Sequence, residues 1–353
     1  MALPQQHQAL VFASADGSLQ LQGVDTPTPG ETEAIVKVET TAMNPADWWF
    51  HDNRASIKEW PYIVGFAASG TVVAVGTNVR NVKLGDRVLA QGGFTKQSNT
   101  FQQYIRSFAD QLAKIPASMS FDEAATIATP APSAVLPLYH PGPTVVSAGL
   151  TAPWRPGGRG KYAGQAAVVL AGASSVGQMA LQFLKLSGFS PIIATASPHN
   201  TPLTLSYGAT HVLPRTLSDT PAELAAEVAR VAGSTPIAVV YDGASTAATQ
   251  TAGLALLAAG GTLVLVHDAE VRAEAEAKGV KVVVGSGVMA FPKNRTFAAE
   301  FTRALEGMLE EGTIKPLVPE VVPGGLGAIP EGLAFGKAGK VSGKKLVFHP
   351  FET

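Results

Sequence analysis

The stretch Ala166-Ala167-Val168-Val169-Leu170-Ala171-Gly172-Ala173-Ser174-Ser175-Val176-Gly177 decides the fold. Five consecutive apolar residues read as a strand covered on both faces, and the glycine-bearing turn after them opens an amphipathic run that closes at Gly188. The order is strand, turn, helix. In that context Gly172 and Gly177 take the first and third glycine positions of the G-x-G-x-x-G dinucleotide fingerprint, with Ser174 at the second. The first glycine is expected to permit the tight turn and the third to let helix and strand approach closely. Free N–H groups of Ser174, Ser175, Val176 and Gly177 would then face a pyrophosphate at the helix start.

About 20 residues further on, an acid would bind a ribose 2′-hydroxyl and repel a 2′-phosphate. Here the second strand ends Ala194-Thr195-Ala196-Ser197-Pro198-His199-Asn200, without one. Ser197 can donate a hydrogen bond and Arg215, after the third strand, can supply positive charge, so NADPH is favoured over NADH. Ser197 and Asn200 also suit helix caps, and the two roles are compatible.

Outward from the fingerprint, strand and helix patterns alternate from 164 to 312. Apolar runs at 191–195, 211–213, 237–241, 262–266 and 281–284 are separated by helical patterns at 176–187, 221–232 and 245–258, each closed by glycine. Thr220, Pro221 and Glu223 predict a capping box. The expectation is an α/β fold with a doubly wound parallel sheet. A further helix, 296–311, puts Phe297, Phe301, Leu305 and Met308 on one stripe, the ordinary pattern of core packing. The first 130 residues differ: short β segments at 34–38, 70–75 and 87–90 lie between Gly, Pro and Asp turns. The tail after Ile314 carries one strand, 345–348, and is too short to stand alone. The expected division is therefore 1–131 with 315–353 as one domain and 132–314 as the nucleotide-binding domain.

The 353 residues, 46% hydrophobic and 15% charged, are enough for two such domains. With no cysteine, disulfides, thiolate metal sites, a Cys nucleophile and iron–sulfur clusters are excluded. A net charge of −1 provides no field to gather nucleic acid or an anionic membrane, so a small-molecule substrate is expected. The uncharged stretches 163–184 and 243–266 each divide into a strand and a helix rather than a membrane span. The N-terminus lacks a basic start and an apolar run, which predicts cytoplasmic residence. Tyr-x-x-x-Lys, Gly-Lys-Ser/Thr and Gly-x-Ser-x-Gly are all missing, and the 7 histidines show no metal-ligand spacing, so no metal site is expected.

Met43-Asn44-Pro45-Ala46-Asp47, then Gly65, the run from Gly70 to Gly76, and Val82-Lys83-Leu84-Gly85-Asp86-Arg87-Val88 resemble the GroES-like catalytic domain of medium-chain dehydrogenases/reductases. The resemblance covers nearly the whole chain and implies an irregular β-barrel domain joined to a Rossmann domain. Ser197-Pro198-His199-Asn200, Gly208-Ala209-Thr210-His211-Val212 and the ending Gly339-Lys340-Val341-Ser342-Gly343-Lys344-Lys345-Leu346-Val347 resemble a narrower group. This is the fungal, zinc-free branch grouped with quinone oxidoreductases and the trans-acting enoyl reductases of polyketide synthesis. By that resemblance Asn44 stands where zinc alcohol dehydrogenases place a catalytic Cys, and Ala67 where the family often has Asp or Glu. Ser133 matches a Thr near the nicotinamide, with atypical prolines at 130, 132 and 137. Arg215 falls where quinone oxidoreductases contact the 2′-phosphate and Asn200 where some carry Lys. The candidate cofactor set is Gly172, Ser174, Ser175, Val176, Gly177, Ser197, His199, Asn200 and Arg215.

The activity implied is NADPH-dependent reduction of a conjugated C=C bond in an enone, enal, quinone or enoyl substrate, without zinc. Hydride goes to the β-carbon, hydrogen-bond donors stabilise the enolate oxygen, and a proton follows from a side chain or water. Asn44 and Ser133 are expected to position nicotinamide and substrate; alternatively Asn44 bonds its own turn. Tyr62 and Tyr139 are the candidate proton donors. Asp47 reads as a loop-ordering residue, and Trp48, Trp49 and Phe50 as pocket lining or core. Two other readings remain: a zinc-free carbonyl reductase and a non-catalytic NADPH-binding protein. The resemblance also allows a carrier-bound acyl substrate, a polyketide synthase partner, and either a monomer or a homodimer. Which substrate is reduced is not written in the sequence.

Overall fold

The computed structural model describes residues 3–15, 17–53, 57, 59–142 and 145–352. Two compact units emerge: 1–129 with 288–291 and 298–353, and 130–287 with 292–297. The two-part α/β class expected from the sequence is what the chain adopts.

The first unit starts with β1 (Gln6–Phe12), β2 (Leu19–Asp25), β3 (Glu33–Ala42), α1 (Pro45–Asp52), β4 (Tyr62–Ile63) and β5 (Ala67–Val75). It continues through β6 (Arg87–Gln91), β7 (Tyr104–Phe108), β8 (Ala113–Lys114) and α2 (Phe121–Ile127). Long β3 anchors the barrel, pairing antiparallel with β5 and β7, and its register against β5 shifts twice. Such shifts bend the pair and make the sheet curl. Gly70 lies at that crossing, where a Cβ would run into the carbonyl of Lys37. Val36, Val38, Val72, Val88, Ile105 and Leu112 fill the space inside.

The second unit holds α3 (Pro130–Tyr139), β9 (Ala166–Leu170), α4 (Ser175–Leu186), β10 (Ile192–Ala196), α5 (Thr201–Ser206) and β11 (His211–Pro214). After these come α6 (Pro221–Ala232), β12 (Ile237–Asp242), α7 (Ala247–Ala255), β13 (Thr262–Leu265), α8 (Arg272–Lys278) and β14 (Lys281–Val284). Six parallel strands run in the order β11-β10-β9-β12-β13-β14. Numbered within the unit, this is 3-2-1-4-5-6, the doubly wound order whose direction reverses between β9 and β12. Every residue of β9 is buried, as its unbroken apolar run requires.

Two local expectations need correction. Thr220 does precede α6, but its hydroxyl donates to the Glu223 carboxylate at 3.1 Å rather than accepting a backbone N–H, so no capping box forms. The helix expected over 245–258 is shorter, because Thr246 takes the N-cap and accepts from the Thr249 N–H at 3.2 Å.

The chain then passes through α9 (Arg295–Glu310), β15 (Val318–Val321), α10 (Ile329–Lys337) and β16 (Lys344–Phe348). In the first unit β16 pairs antiparallel with β3 through Val347↔Ala42 and Phe348↔Thr41. Residues 298–314, placed by the sequence reading with the nucleotide half, cluster with the first unit. There the Glu306 carboxylate accepts the Lys114 backbone N–H at 2.9 Å.

Candidate cofactor and substrate sites

The turn after β9 is built differently from the sequence reading. Ala171, not Gly172, takes the left-handed conformation, with φ 54°. Gly172 is instead required for packing: a Cβ there would lie 2.9 Å from the Ala194 Cβ and 3.2 Å from Thr204 Cγ2. The turn is fastened to β10 by Ala171 N–H donating to Thr195 Oγ1 at 3.1 Å and Gly172 N–H to the Thr195 carbonyl at 2.8 Å. Gly177 makes the close approach expected of it, since a Cβ would press on the Ala171 carbonyl. Ser174 caps α4, its hydroxyl accepting the Gly177 N–H at 3.1 Å, and its own N–H donates to Ala171 at 2.9 Å. Thus Ser174 and Gly177 spend their N–H groups on the turn. Those of Ser175 and Val176 have no acceptor among the described residues and carry the positive end of a helix of 12 residues. Gly243, just after β12, escaped sequence reasoning: a Cβ on it would lie 2.8 Å from Ser174 Oγ.

On the same carboxyl edge of the sheet, β10 and β11 are in register at Ala196↔Pro214. Ser197 and Arg215 follow directly. Ser197 is half-buried and its hydroxyl makes no cap bond; Arg215 is exposed at the head of a short 3-10 turn. Neither side chain has a polar partner among the described residues. The capping role considered for Ser197 and Asn200 is therefore not the one their side chains perform at α5. Asn200 is buried and its carbonyl accepts from Thr204 Oγ1 at 2.8 Å, while His199 is exposed.

Ser133 lies on α3, where its carbonyl accepts the Tyr241 hydroxyl at 2.9 Å. Gly287, after β14, stands so close that a Cβ would collide with the Ser133 hydroxyl. Tyr139, six residues on, is fully buried: its hydroxyl meets Ser187 Oγ at 2.7 Å and the Phe183 carbonyl at 3.1 Å, and burial holds its pKa far above the ordinary tyrosine value.

In the first unit Asn44 is the N-cap of α1 and is buried. Its N–H donates to the Asp47 carboxylate at 2.6 Å and its Nδ2 to the Ala42 carbonyl at 3.0 Å. Its Oδ1 accepts from Lys345 Nζ at 2.8 Å. The side chain therefore bonds its own turn, as the alternative reading had it, and adds a lysine that sequence reasoning missed. Burial raises the Asp47 carboxyl to about 7, opposed by the Asn44 N–H and the Lys345 ammonium. Burial likewise lowers Lys345 to about 8, opposed by Asp47.

Beside α1 the first unit holds a pocket of about 420 Å³ lined by Phe50, Pro61, Tyr62, Phe94, Lys96 and other residues. The Phe50 ring sits 6.2 Å from Tyr62 and 5.7 Å from Phe94, and Phe94 stacks on Phe291 at 5.4 Å. Asn99 Nδ2 donates to the Tyr62 hydroxyl at 3.1 Å, and burial raises the Tyr62 pKa. Of the three aromatic residues on α1, only Phe50 lines this pocket. Trp48 packs on the core and Trp49 is 47% exposed. Among the described residues no three His, Asp or Glu side chains converge as a metal site would require, and no helix is long and apolar enough to cross a membrane.

Residues 30–127 match the alcohol dehydrogenase GroES-like domain, and 175–273 match the domain described as zinc-binding dehydrogenase. The trans-enoyl reductase traG of Penicillium crustosum is 32% identical over 98% of both chains. The CurK enoyl reductase structure superposes with a TM-score of 0.76 at 22% identity, covering 98% of this chain and 99% of that one. The mycobacterial protein Rv1454c complexed with NADPH gives a TM-score of 0.76 at 23% identity, covering 98% and 100%. The chain belongs to the medium-chain dehydrogenase/reductase superfamily, with the fungal trans-enoyl reductases.

Proposed function

We propose that this oxidoreductase reduces a carbon–carbon double bond conjugated to a carbonyl, taking its hydride from NADPH and using no metal. The observation that carries the cofactor is the carboxyl edge of the parallel sheet. There the unpaired N–H groups of Ser175 and Val176 share an edge with Ser197 and Arg215, which continue adjacent in-register strands. An anion-binding helix start beside a guanidinium and a hydroxyl fits a pyrophosphate and a 2′-phosphate better than a free ribose hydroxyl, for which an acid would be expected.

Reduced nicotinamide supplies the hydride when bound. The residues of the chain would do the rest: Ser175 and Val176 would hold the pyrophosphate, Arg215 and Ser197 the 2′-phosphate, and Ser133, by the family resemblance, the nicotinamide end. Phe50, Tyr62 and Phe94 hold the apolar part of the substrate. Saturating the bond requires one proton at the α-carbon for each hydride at the β-carbon. Tyr62 is the better donor of the two tyrosines, because its oxygen accepts from Asn99 and keeps its own proton to give, on a pocket wall. Tyr139 is committed to Ser187 and Phe183 inside the core.

The names of the relatives favour an enoyl substrate, and a second pocket of about 460 Å³ sharing Pro61, Lys96 and Gln97 with the first supports an extended chain. A carrier-bound acyl group would suit such a groove. The test is NADPH oxidation with a panel of conjugated enals, enones and quinones, followed by product identification. Saturated carbonyls support this reading, allylic alcohols make the chain a carbonyl reductase, and NADPH binding without turnover makes it a binding protein.

A further inference from the structure

Lys345 stands where the closing strand should be apolar. The three residues that follow it on β16, Leu346, Val347 and Phe348, are all buried, and Lys345 itself is only 3% exposed. Lysine is almost never buried to this extent without a partner, and an unpaired ammonium in the interior costs several kcal/mol. A leucine would avoid that cost. The partners come from the far end of the chain, 301 residues earlier: Nζ donates to Asn44 Oδ1, and Asn44 in turn binds the fully buried Asp47. Asp47 is the charge that acts on Lys345, and Lys345 the charge that acts on Asp47.

Asp47 sits in the first turn of α1, with Phe50 three positions on and therefore on the neighbouring face of the helix. Phe50 is the residue by which α1 reaches the pocket, tilted against Tyr62 and, at 5.4 Å, against Phe66. Rotation of α1 about its axis would move both residues together. A buried carboxylate tied to a buried ammonium through an amide allows little such rotation, because any turn separates charges that have no water to replace their partners.

We infer that Lys345 is a positioning residue: by holding Asn44 and neutralising Asp47 it fixes the rotation of α1 that places Phe50 on the pocket wall beside Tyr62. The assignment rests on reading that pocket as the substrate site.

The test uses the full chain with Lys345→Met, alone and combined with Asp47→Asn, which removes both charges and leaves none uncompensated. Turnover of trans-2-octenal, NADPH affinity, thermal midpoint and acrylamide quenching of tryptophan are measured. With Lys345→Met, kcat/KM falls by about tenfold to a hundredfold, the range a small misplacement of a substrate-holding group produces, while NADPH affinity is unchanged. Quenching rises, because Trp48 and Trp49 lie between Asp47 and Phe50. The double variant regains its midpoint but not its kcat/KM. Wild-type kcat/KM in Lys345→Met, or full recovery of kcat/KM in the double variant, overturns the positioning role. If the wild type reduces no conjugated carbonyl, the proposed function fails instead. The inference is then decided by quenching alone, and an unchanged value overturns it.

Discussion

Ser197 and Arg215 leave the carboxyl edge of the parallel sheet side by side, each one residue beyond the in-register pair Ala196↔Pro214. Seventeen residues of intervening chain, 198–214, bring a hydroxyl and a guanidinium to one place, and that place adjoins the turn after β9 because β10 also pairs with β9.

For cofactor choice, a guanidinium bonded to a phosphate is a charge-assisted contact worth about 1.5–3 kcal/mol. Arg215→Ala should therefore weaken NADPH binding by roughly tenfold to a hundredfold and leave NADH nearly unaffected. Fluorescence titration of both nucleotides measures this. Equal losses for the two would remove the 2′-phosphate from this edge.

The glycine at the helix start tests the turn itself. In Gly177→Ala the new methyl meets the Ala171 carbonyl, and overpacking of this kind costs about 1–3 kcal/mol. Both the thermal midpoint and the affinity for NADPH should fall. A variant with normal nucleotide affinity would show that the Ser175 and Val176 N–H groups are not the pyrophosphate site.

The two tyrosines should separate cleanly. Tyr62→Phe is expected to lower kcat by about a hundredfold or more with little change in NADPH affinity, the scale of a lost general acid. Tyr139→Phe removes a buried hydroxyl from Ser187 and Phe183 and should cost about 1 kcal/mol of stability while kcat holds. Stopped-flow turnover alongside denaturant melts distinguishes the outcomes; a normal kcat in Tyr62→Phe would pass the proton to water.

The buried pair also sets a pH dependence. Asp47 binds its proton more tightly folded than unfolded, rising from 3.8 to about 7, so its contribution to stability is full in acid and lost as pH climbs through 7. Lys345 falls from 10.5 to about 8, so its contribution is present above 10.5 and lost as pH drops through 8. The pair therefore weakens the fold most between pH 7 and 8. The Asp47→Asn, Lys345→Met variant should gain stability relative to wild type as pH rises from 5 to 7. Denaturant midpoints compared across that range check the sign, and a constant difference would mean that the pair keeps one charge state throughout.

Much of this molecule was legible in one dimension because its causes are local. An unbroken apolar strand, a glycine turn and an amphipathic helix can be recognised in a dozen residues, and the parallel sheet followed from repeating them. The zero cysteine count and Asn44 in its motif were equally plain. What stayed hidden depends on neighbours remote in the chain. Gly172 proved necessary for its contact with Ala194 and Thr204, leaving Ala171 to make the left-handed turn. The hydroxyls of Tyr62 and Tyr139 look alike in sequence, and only their surroundings give one a pocket and the other a core. Lys345 follows Lys344 near the end of the chain, and nothing in that local stretch marks it as buried. Pairing of β16 with β3 buries it against Asn44, because an ammonium and a carboxylate taken from water can persist only where the fold brings them together.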